Sequence, residues 1–282
     1  MTITFNVSVA GDKSFLTDYV HPMQIMPQQR KTVTHPFIEQ FPMIKKSRCA
    51  CVHTSYVTRA FSEKILLPGF QRLNIRNYLN LANKIGFDYI LIHGPESYNE
   101  WKLLYTVCDI LHDIESESKG NAKIIIEMPA FKGSFIDDLK KEMLSIIPPA
   151  AKDPIKVIDY IKYYLQAIVD NGFEIVLDTA HMFANGCDVS DMIDLFKTFS
   201  HHMTICHLNG NKHKQYTSDA HCPIFLERNQ IKDVDKLMKY LATTKLIMVT
   251  ENASDGVEYK QWEQFAAKYK LKIVPYHDNL NC

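Results

Sequence analysis

The chain has 282 residues, 46% of them hydrophobic, enough for one large α/β domain or two small ones. Lysine plus arginine and aspartate plus glutamate each number 32, so the net charge is zero and any DNA binding needs a local basic patch or metal ions rather than a global field. No apolar run approaches the ~20 residues of a membrane span, and MTITFNVSVAGDK does not read as a secretory signal. The seven cysteines (Cys49, Cys51, Cys108, Cys187, Cys206, Cys222, Cys282) are scattered, with no CxxC pair, and read as reduced thiols of an intracellular protein.

In chain order, Ile3 to Val7 reads as a strand and Met23 to Met26 as a weaker one, followed by the polar loop Pro27 to Lys31. A helix is expected over Pro36 to Lys46, interrupted by Pro42. Arg48 to Val52 is a strand ending at His53, and a helix follows from about Phe70 to Ile85. Asp88 to Ile92 ends at His93, and a helix is expected from about Tyr98 to Ile114. Lys123 to Ile126 ends at Glu127. A long connection rich in Lys and Asp leads past Pro148 and Pro149 to a helix from about Pro154 to Asn171. The apolar run Ile175 to Leu177 ends on Asp178, with His181 and Gly186 in the loop beyond. A helix from about Ser190 to Phe199 precedes Met203 to Cys206, which ends at His207. Asp219 and His221 lie in a polar loop, a helix covers Val234 to Ala242, and Leu246 to Thr250 ends at Glu251 before a last helix, Tyr259 to Tyr269.

Eight short apolar strands separated mostly by helices predict an α/β fold of one domain, a (β/α)8 TIM barrel over residues 1–282. A doubly wound open sheet is the alternative, unsupported by any GxGxxG or Walker-type loop.

Six successive strands end on His53, His93, Glu127, Asp178, His207 and Glu251. One such ending carries little weight, because acids and histidines tolerate the solvated end of a strand. Six in a row point to chemistry: the parallel strands of a barrel open on one face, where active sites of this fold form. With His181, Asp219 and His221 the set holds five histidines and four carboxylates, more than one tetrahedral ion uses. It suits two or three metals with a bridging carboxylate, or else a sugar isomerase-like site with one or two. His21, His35, His112, His201, His202, His213 and His277 read as surface or structural. Cys206 should face opposite to His207 and pack against the helices, whereas Cys222 stays open as a ligand.

The motifs LDTAHMFANGCD (Leu177 to Asp188), HLNGNKH (His207 to His213), SDAH (Ser218 to His221) and IIIE (Ile124 to Glu127), with His53, His93 and Glu251, resemble the endonuclease IV family of apurinic/apyrimidinic endonucleases over most of the chain. The resemblance implies a TIM barrel with three zinc ions, manganese being an alternative at one site. One ion would be held by His53, His93 and Glu127. Glu127 would bridge to a second, completed by Asp178, His207 and Glu251, and the third would take His181, Asp219 and His221. It further implies a monomeric hydrolase of base excision repair that cuts duplex DNA 5′ to abasic sites, leaving a 3′-hydroxyl and a 5′-deoxyribose phosphate. Glu127 and Glu251 would serve catalysis. Tyr56 would wedge into the DNA, and the QQR loop would bring Gln29 and Arg30 against it, Arg30 entering the base stack. Lys45, Lys46, Lys212 and Lys214 are candidate phosphate contacts. The chain departs from the family pattern at Asn6, where a histidine is common, at His93-Gly94-Pro95 in place of HPG, at Met128-Pro129-Ala130 and at Cys222-Pro223-Ile224-Phe225. These departures fall mainly in loops that shape the fit to DNA. A metal-dependent sugar isomerase or epimerase on the same barrel is the competing reading.

Overall fold

The computed structural model describes residues 2–8, 23–26, 34, 38–39, 50–55, 58–146, 156–252 and 256–274. Its strands are β1 (Thr2–Ser8), β2 (Met23–Met26), β3 (Ala50–His53), β4 (Tyr89–His93), β5 (Lys123–Glu127), β6 (Glu174–Asp178), β7 (Ile205–His207), β8 (Gly210–Asn211), β9 (His221–Cys222), β10 (Ile247–Thr250) and β11 (Lys272–Ile273). Strands β1 to β7 pair in parallel in chain order, β10 follows β7, and β10 pairs back to β1 from Thr2↔Ile247 to Phe5↔Thr250. The ring is therefore closed and no edge is left open within it. The chain folds as the expected α/β barrel. The two-residue β11 adds to β1 outside the ring, and β8 with β9 forms a small antiparallel hairpin; neither was expected from the sequence.

Alternation along each strand sorts the core into two layers. Ile90, Ile92, Ile124, Ile126, Ile175, Leu177, Cys206 and Met248 face the surrounding helices. Between them, Cys51, Leu91, Ile125, Val176, Ile205 and Val249 form a separate apolar cluster inside the barrel. Cys206 thus packs on the helix side, as its position beside His207 requires.

The longest helix, Phe70–Ile85, buries Ile75, Tyr78, Leu79, Ala82 and Ile85 at helical spacing. Gly86 at φ 90° ends it, the left-handed conformation that glycine adopts without steric cost. The helix expected as one piece from Tyr98 is two, Tyr98–Trp101 and Leu104–Ser116. The long connection after Glu127 contains a helix, Phe135–Ile146, held to the body by Phe135 and Leu139. Among the described residues no helix is long and apolar enough to cross a membrane, and Cys51, Cys108, Cys187, Cys206 and Cys222 are all free and buried.

The expected DNA-contact residues Gln29, Arg30 and Tyr56, together with Lys45, Lys46 and most of the helix foreseen over Pro36 to Lys46, lie outside the described residues.

Candidate metal centre

The site follows from strand periodicity. Two residues beyond each member of the interior apolar cluster stands a histidine or a carboxylate: His53 above Cys51, His93 above Leu91, Glu127 above Ile125, Asp178 above Val176, His207 above Ile205 and Glu251 above Val249. A step of two keeps a side chain on the same face of a strand. The ionisable residues therefore form a second layer over the apolar one, at the C-terminal mouth. Register aligns them laterally, with His93 opposite Glu127 and Asp178 opposite His207.

His181 enters from a short helix rather than a loop. Helix Thr179–Ala184 starts directly from β6, and the Asp178 carboxylate caps it by accepting from the amides of Ala180 (2.6 Å) and His181 (3.2 Å). His221 sits on β9, which hydrogen-bonds to β8 just beyond His207. Asp219 precedes it, with a side chain 34% exposed against 0% for Glu127, Asp178 and His207.

Among the described residues three compact donor groups result, in each of which the ligand atoms lie within 4.8 Å of one another: His53, His93 and Glu127; Glu127, Asp178, His207 and Glu251; and Asp178, His181 and His221. Glu127 joins the first two groups and Asp178 the last two. Glu127 Oε2 lies 3.5 Å from His53 Nε2 and 3.3 Å from His93 Nε2, and Oε1 lies 3.2 Å from His181 Nδ1 and 3.1 Å from His207 Nδ1. Asp219 stands just outside, with Oδ1 2.8 Å from His221 Nε2 and Oδ2 3.3 Å from His181 Nε2. Cys222 belongs to none of these groups.

The donors fit divalent cations. Glu127 Oε2 is fully buried and forms no hydrogen bond among the described residues, while two imidazole nitrogens face it. A buried carboxylate oxygen in that state costs free energy that a cation shared with the imidazoles would recover. His53, His93, Asp178, His181, His207, Glu251 and His221, with Asp219, could hold metal ions around Glu127.

Electrostatics shows the same coupling. Burial alone would raise the Glu127 carboxyl, but His207 and His93, with hydrogen bonds from His181 and His207, hold it well below the usual carboxylate range. Burial also opposes ionisation of Glu251 and Asp219, yet the neighbouring histidines depress both. The histidines respond in kind. Against burial, Asp178, Asp219 and Glu251 push His221 up to about 10, and carboxylates likewise raise His181 and His207. Protons and cations compete for these donors.

A polar layer that the sequence does not announce holds these candidate ligands in place. Gln24 on β2 is wholly buried; its Oε1 accepts from His207 Nε2 at 2.9 Å, which leaves Nδ1 facing the carboxylates, and its Nε2 donates to Glu251 at 3.4 Å. Asn209 Nδ2 donates to Asp178 at 2.7 Å and to Glu251 at 3.4 Å, and Oδ1 accepts the Glu251 amide at 3.0 Å. His53 Nδ1 donates to the Thr54 carbonyl (2.7 Å), so its Nε2 faces the site; His181 Nδ1 similarly reaches the Met128 carbonyl at 2.9 Å. Such partners orient ligands and set tautomers. The usable signals were the alternation of Gln24 against Ile25 and the position of Asn209 two residues past His207.

Lys212 and Lys214 are exposed on the loop between β8 and β9. His112 stacks on Phe173 at 4.4 Å, and His201, His202 and His213 are surface residues, consistent with structural roles.

Neither a protein-family model nor any curated protein sequence matches the chain. Solved structures do. Endonuclease IV from Thermus thermophilus is similar with a TM-score of 0.64 at 14% identity, over 95% of this chain and 98% of that one. A xylose isomerase domain protein from Planctomyces limnophilus gives 0.57 at 10% identity, over 95% and 96%. A D-tagatose 3-epimerase-like protein gives 0.57 at 14%, over 94% and 96%. The resemblance to endonuclease IV thus holds in three dimensions, as a likeness of fold shared with the isomerase and epimerase barrels.

Proposed function

We propose that the chain is a metal-dependent endonuclease that hydrolyses the phosphodiester 5′ to abasic sites in duplex DNA, leaving a 3′-hydroxyl and a 5′-deoxyribose phosphate. The observation that carries this reading is sharing: Glu127 and Asp178 each belong to two donor groups, so the three groups make one continuous cluster. An isomerase site of one or two ions has no need of three linked groups, whereas phosphodiester cleavage uses adjacent ions on attacking and leaving oxygens.

In this reading His53, His93 and Glu127 hold one ion, and Glu127, Asp178, His207 and Glu251 a second. His181 and His221 hold a third, with Asp219 as the carboxylate at 2.8 Å from His221. The donors are imidazole and carboxylate without thiolate, a set suited to zinc, with manganese acceptable where carboxylates dominate. Bound there, divalent ions supply a hydroxide near neutral pH and neutralise the scissile phosphate. The protein's own residues position the reaction. Glu127 spans two groups and aligns the nucleophile, Glu251 is held in place by Gln24 and Asn209, and the apolar cluster beneath closes the barrel to water from below. An abasic nucleotide has lost its pairing and stacking, so turning it into the mouth costs little, and selectivity follows from pocket size rather than base reading. Arg30, Gln29 and Tyr56 are the proposed contacts to the DNA stack.

The test is a labelled duplex carrying one tetrahydrofuran abasic analogue, which resists β-elimination, incubated with metal-loaded or exhaustively chelated protein. A nick on the 5′ side, lost after prolonged chelation, is the expected result. Metal-loaded protein that leaves the duplex intact would overturn the endonuclease reading. One ion per chain with turnover of a ketose or aldose would replace it with an isomerase on the same barrel.

A further inference from the structure

A cleft of about 950 Å³ opens beside the metal centre and shares His93, His181 and Asp219 with it. That volume is at the upper end of the ~300–1,000 Å³ typical of ligand pockets. Phe131, Tyr160 and Tyr216 contribute aromatic surface to its walls. Its charges are mixed: Lys132 pairs with Glu96, and Lys140, Asp137 and Asp219 line the remainder. Its lining is thus a mixture of aromatic and polar side chains with little net charge.

Tyr216 is the unusual member. It is 63% exposed, and its φ of 61° is a left-handed conformation that is costly for a bulky side chain. Its amide donates to the Ala184 carbonyl at 2.9 Å, which ties the β8–β9 loop to the His181 helix. Its ring lies against Gly186, itself at φ 101°; a Cβ there would fall 2.3 Å from Cε1, Cζ and Oη of the tyrosine. Two left-handed residues, neighbours in space and one a glycine that makes room, thus fix a partly exposed aromatic ring at the rim of the cleft. Burial accounts for little of this arrangement, because the residue as a whole is 63% exposed.

We infer that Tyr216 is a stacking platform for a nucleobase of the bound strand, and that the cleft behind it is a nucleotide subsite next to the reacting phosphodiester. The inference rests on the reading of the barrel mouth as a DNA site. Every base offers a π-face, so an exposed aromatic ring holds a flanking nucleotide without reading its sequence. The cleft also shares its ligand-bearing wall with the metal centre. A base held by Tyr216 therefore fixes the position of the strand relative to Asp219 and His181.

The experiment measures binding apart from cleavage. Metal-loaded protein is titrated against a fluorescent duplex already nicked 5′ to a tetrahydrofuran residue, which the proposed reaction cannot cut again. Tyr216→Phe should bind as wild type. Tyr216→Ala should weaken binding about tenfold, with metal content per chain unchanged. Tyr216→Gly relieves the left-handed backbone, so it should show the same loss in a protein at least as stable. Equal affinity of the Ala or Gly variant and wild type would overturn the subsite, as would a wild type that does not bind the nicked duplex. Retained Tyr216-dependent binding by a protein that cuts no abasic duplex would uphold the subsite while removing the endonuclease reading.

Discussion

Inside the barrel, two layers of side chains come from the same strands and differ only by a step of two residues. The lower layer is Cys51, Leu91, Ile125, Val176, Ile205 and Val249; the upper is His53, His93, Glu127, Asp178, His207 and Glu251. The lower layer is ordinary core and is stabilised by removal of apolar area from water, at ~25 cal/mol per Å². The upper layer is also largely buried, His93 excepted at 28% exposed, and gains little from that source. Glu127, Asp178 and His207 are fully inaccessible, and buried charge is costly unless paired. The lower layer could exist for folding alone. The upper one is held by mutual neutralisation and by the amides of Gln24 and Asn209, an arrangement worth its cost only if the space among the charges is used.

Substitution in each layer should separate the two roles. Glu127→Gln removes the carboxylate that joins two donor groups. It should lose metal from both, measured by plasma mass spectrometry, and cut the rate of abasic-duplex nicking by more than about a thousandfold, ~4 kcal/mol of transition-state stabilisation. Leu91→Ala, one layer below, should do the reverse. It leaves a cavity worth ~2–5 kcal/mol of stability, read by denaturant unfolding, while the metal content of the folded protein stays as in wild type. If Leu91→Ala empties the metal centre, or Glu127→Gln leaves it full, the division into floor and centre is wrong.

The smallest effect is a count of protons. In metal-free protein the surrounding carboxylates raise His221 to about 10 and raise His181 and His207 above their ordinary values. At pH 7 to 8 the His221 imidazole is protonated, and a metal must displace that proton to bind. Zinc uptake should therefore release protons, and its apparent affinity should rise with pH across this range. Calorimetry of zinc binding in buffers of different ionisation enthalpy measures both; uptake without proton release would contradict the raised values.

The upper layer was legible in the sequence because each member ends a short apolar run, and the parallel barrel then brings those ends together. What escaped notice has physical reasons. Gln24 and Asn209 carry no charge, so nothing marks them as ligand supports until Gln24 is seen against the Ile25 alternation and Asn209 against its distance from His207. Helix Phe135–Ile146 read as a connection because its buried face is narrow, Phe135 and Leu139, amid Asp137, Asp138, Lys140, Lys141 and Glu142. The hairpin of β8 and β9 has two residues per strand, too few for any period to register. His181 was placed in a loop because Asp178 ends a strand and caps a helix at once.

The ring of strands closes where Thr2 pairs with Ile247, nearly the full length of the chain apart. Contacts so distant in sequence form slowly, since the entropy of closing the loop must be met before they contribute. On a ribosome, β1 must wait for β10. Glu251, the residue immediately after β10, is the last of the nine candidate ligands to be made. Until it arrives the interior carboxylates and imidazoles lack one partner and the barrel lacks its seam. Completion of the candidate metal centre and closure of the barrel are thus a single late event, and a nascent chain stalled before residue 247 would have neither.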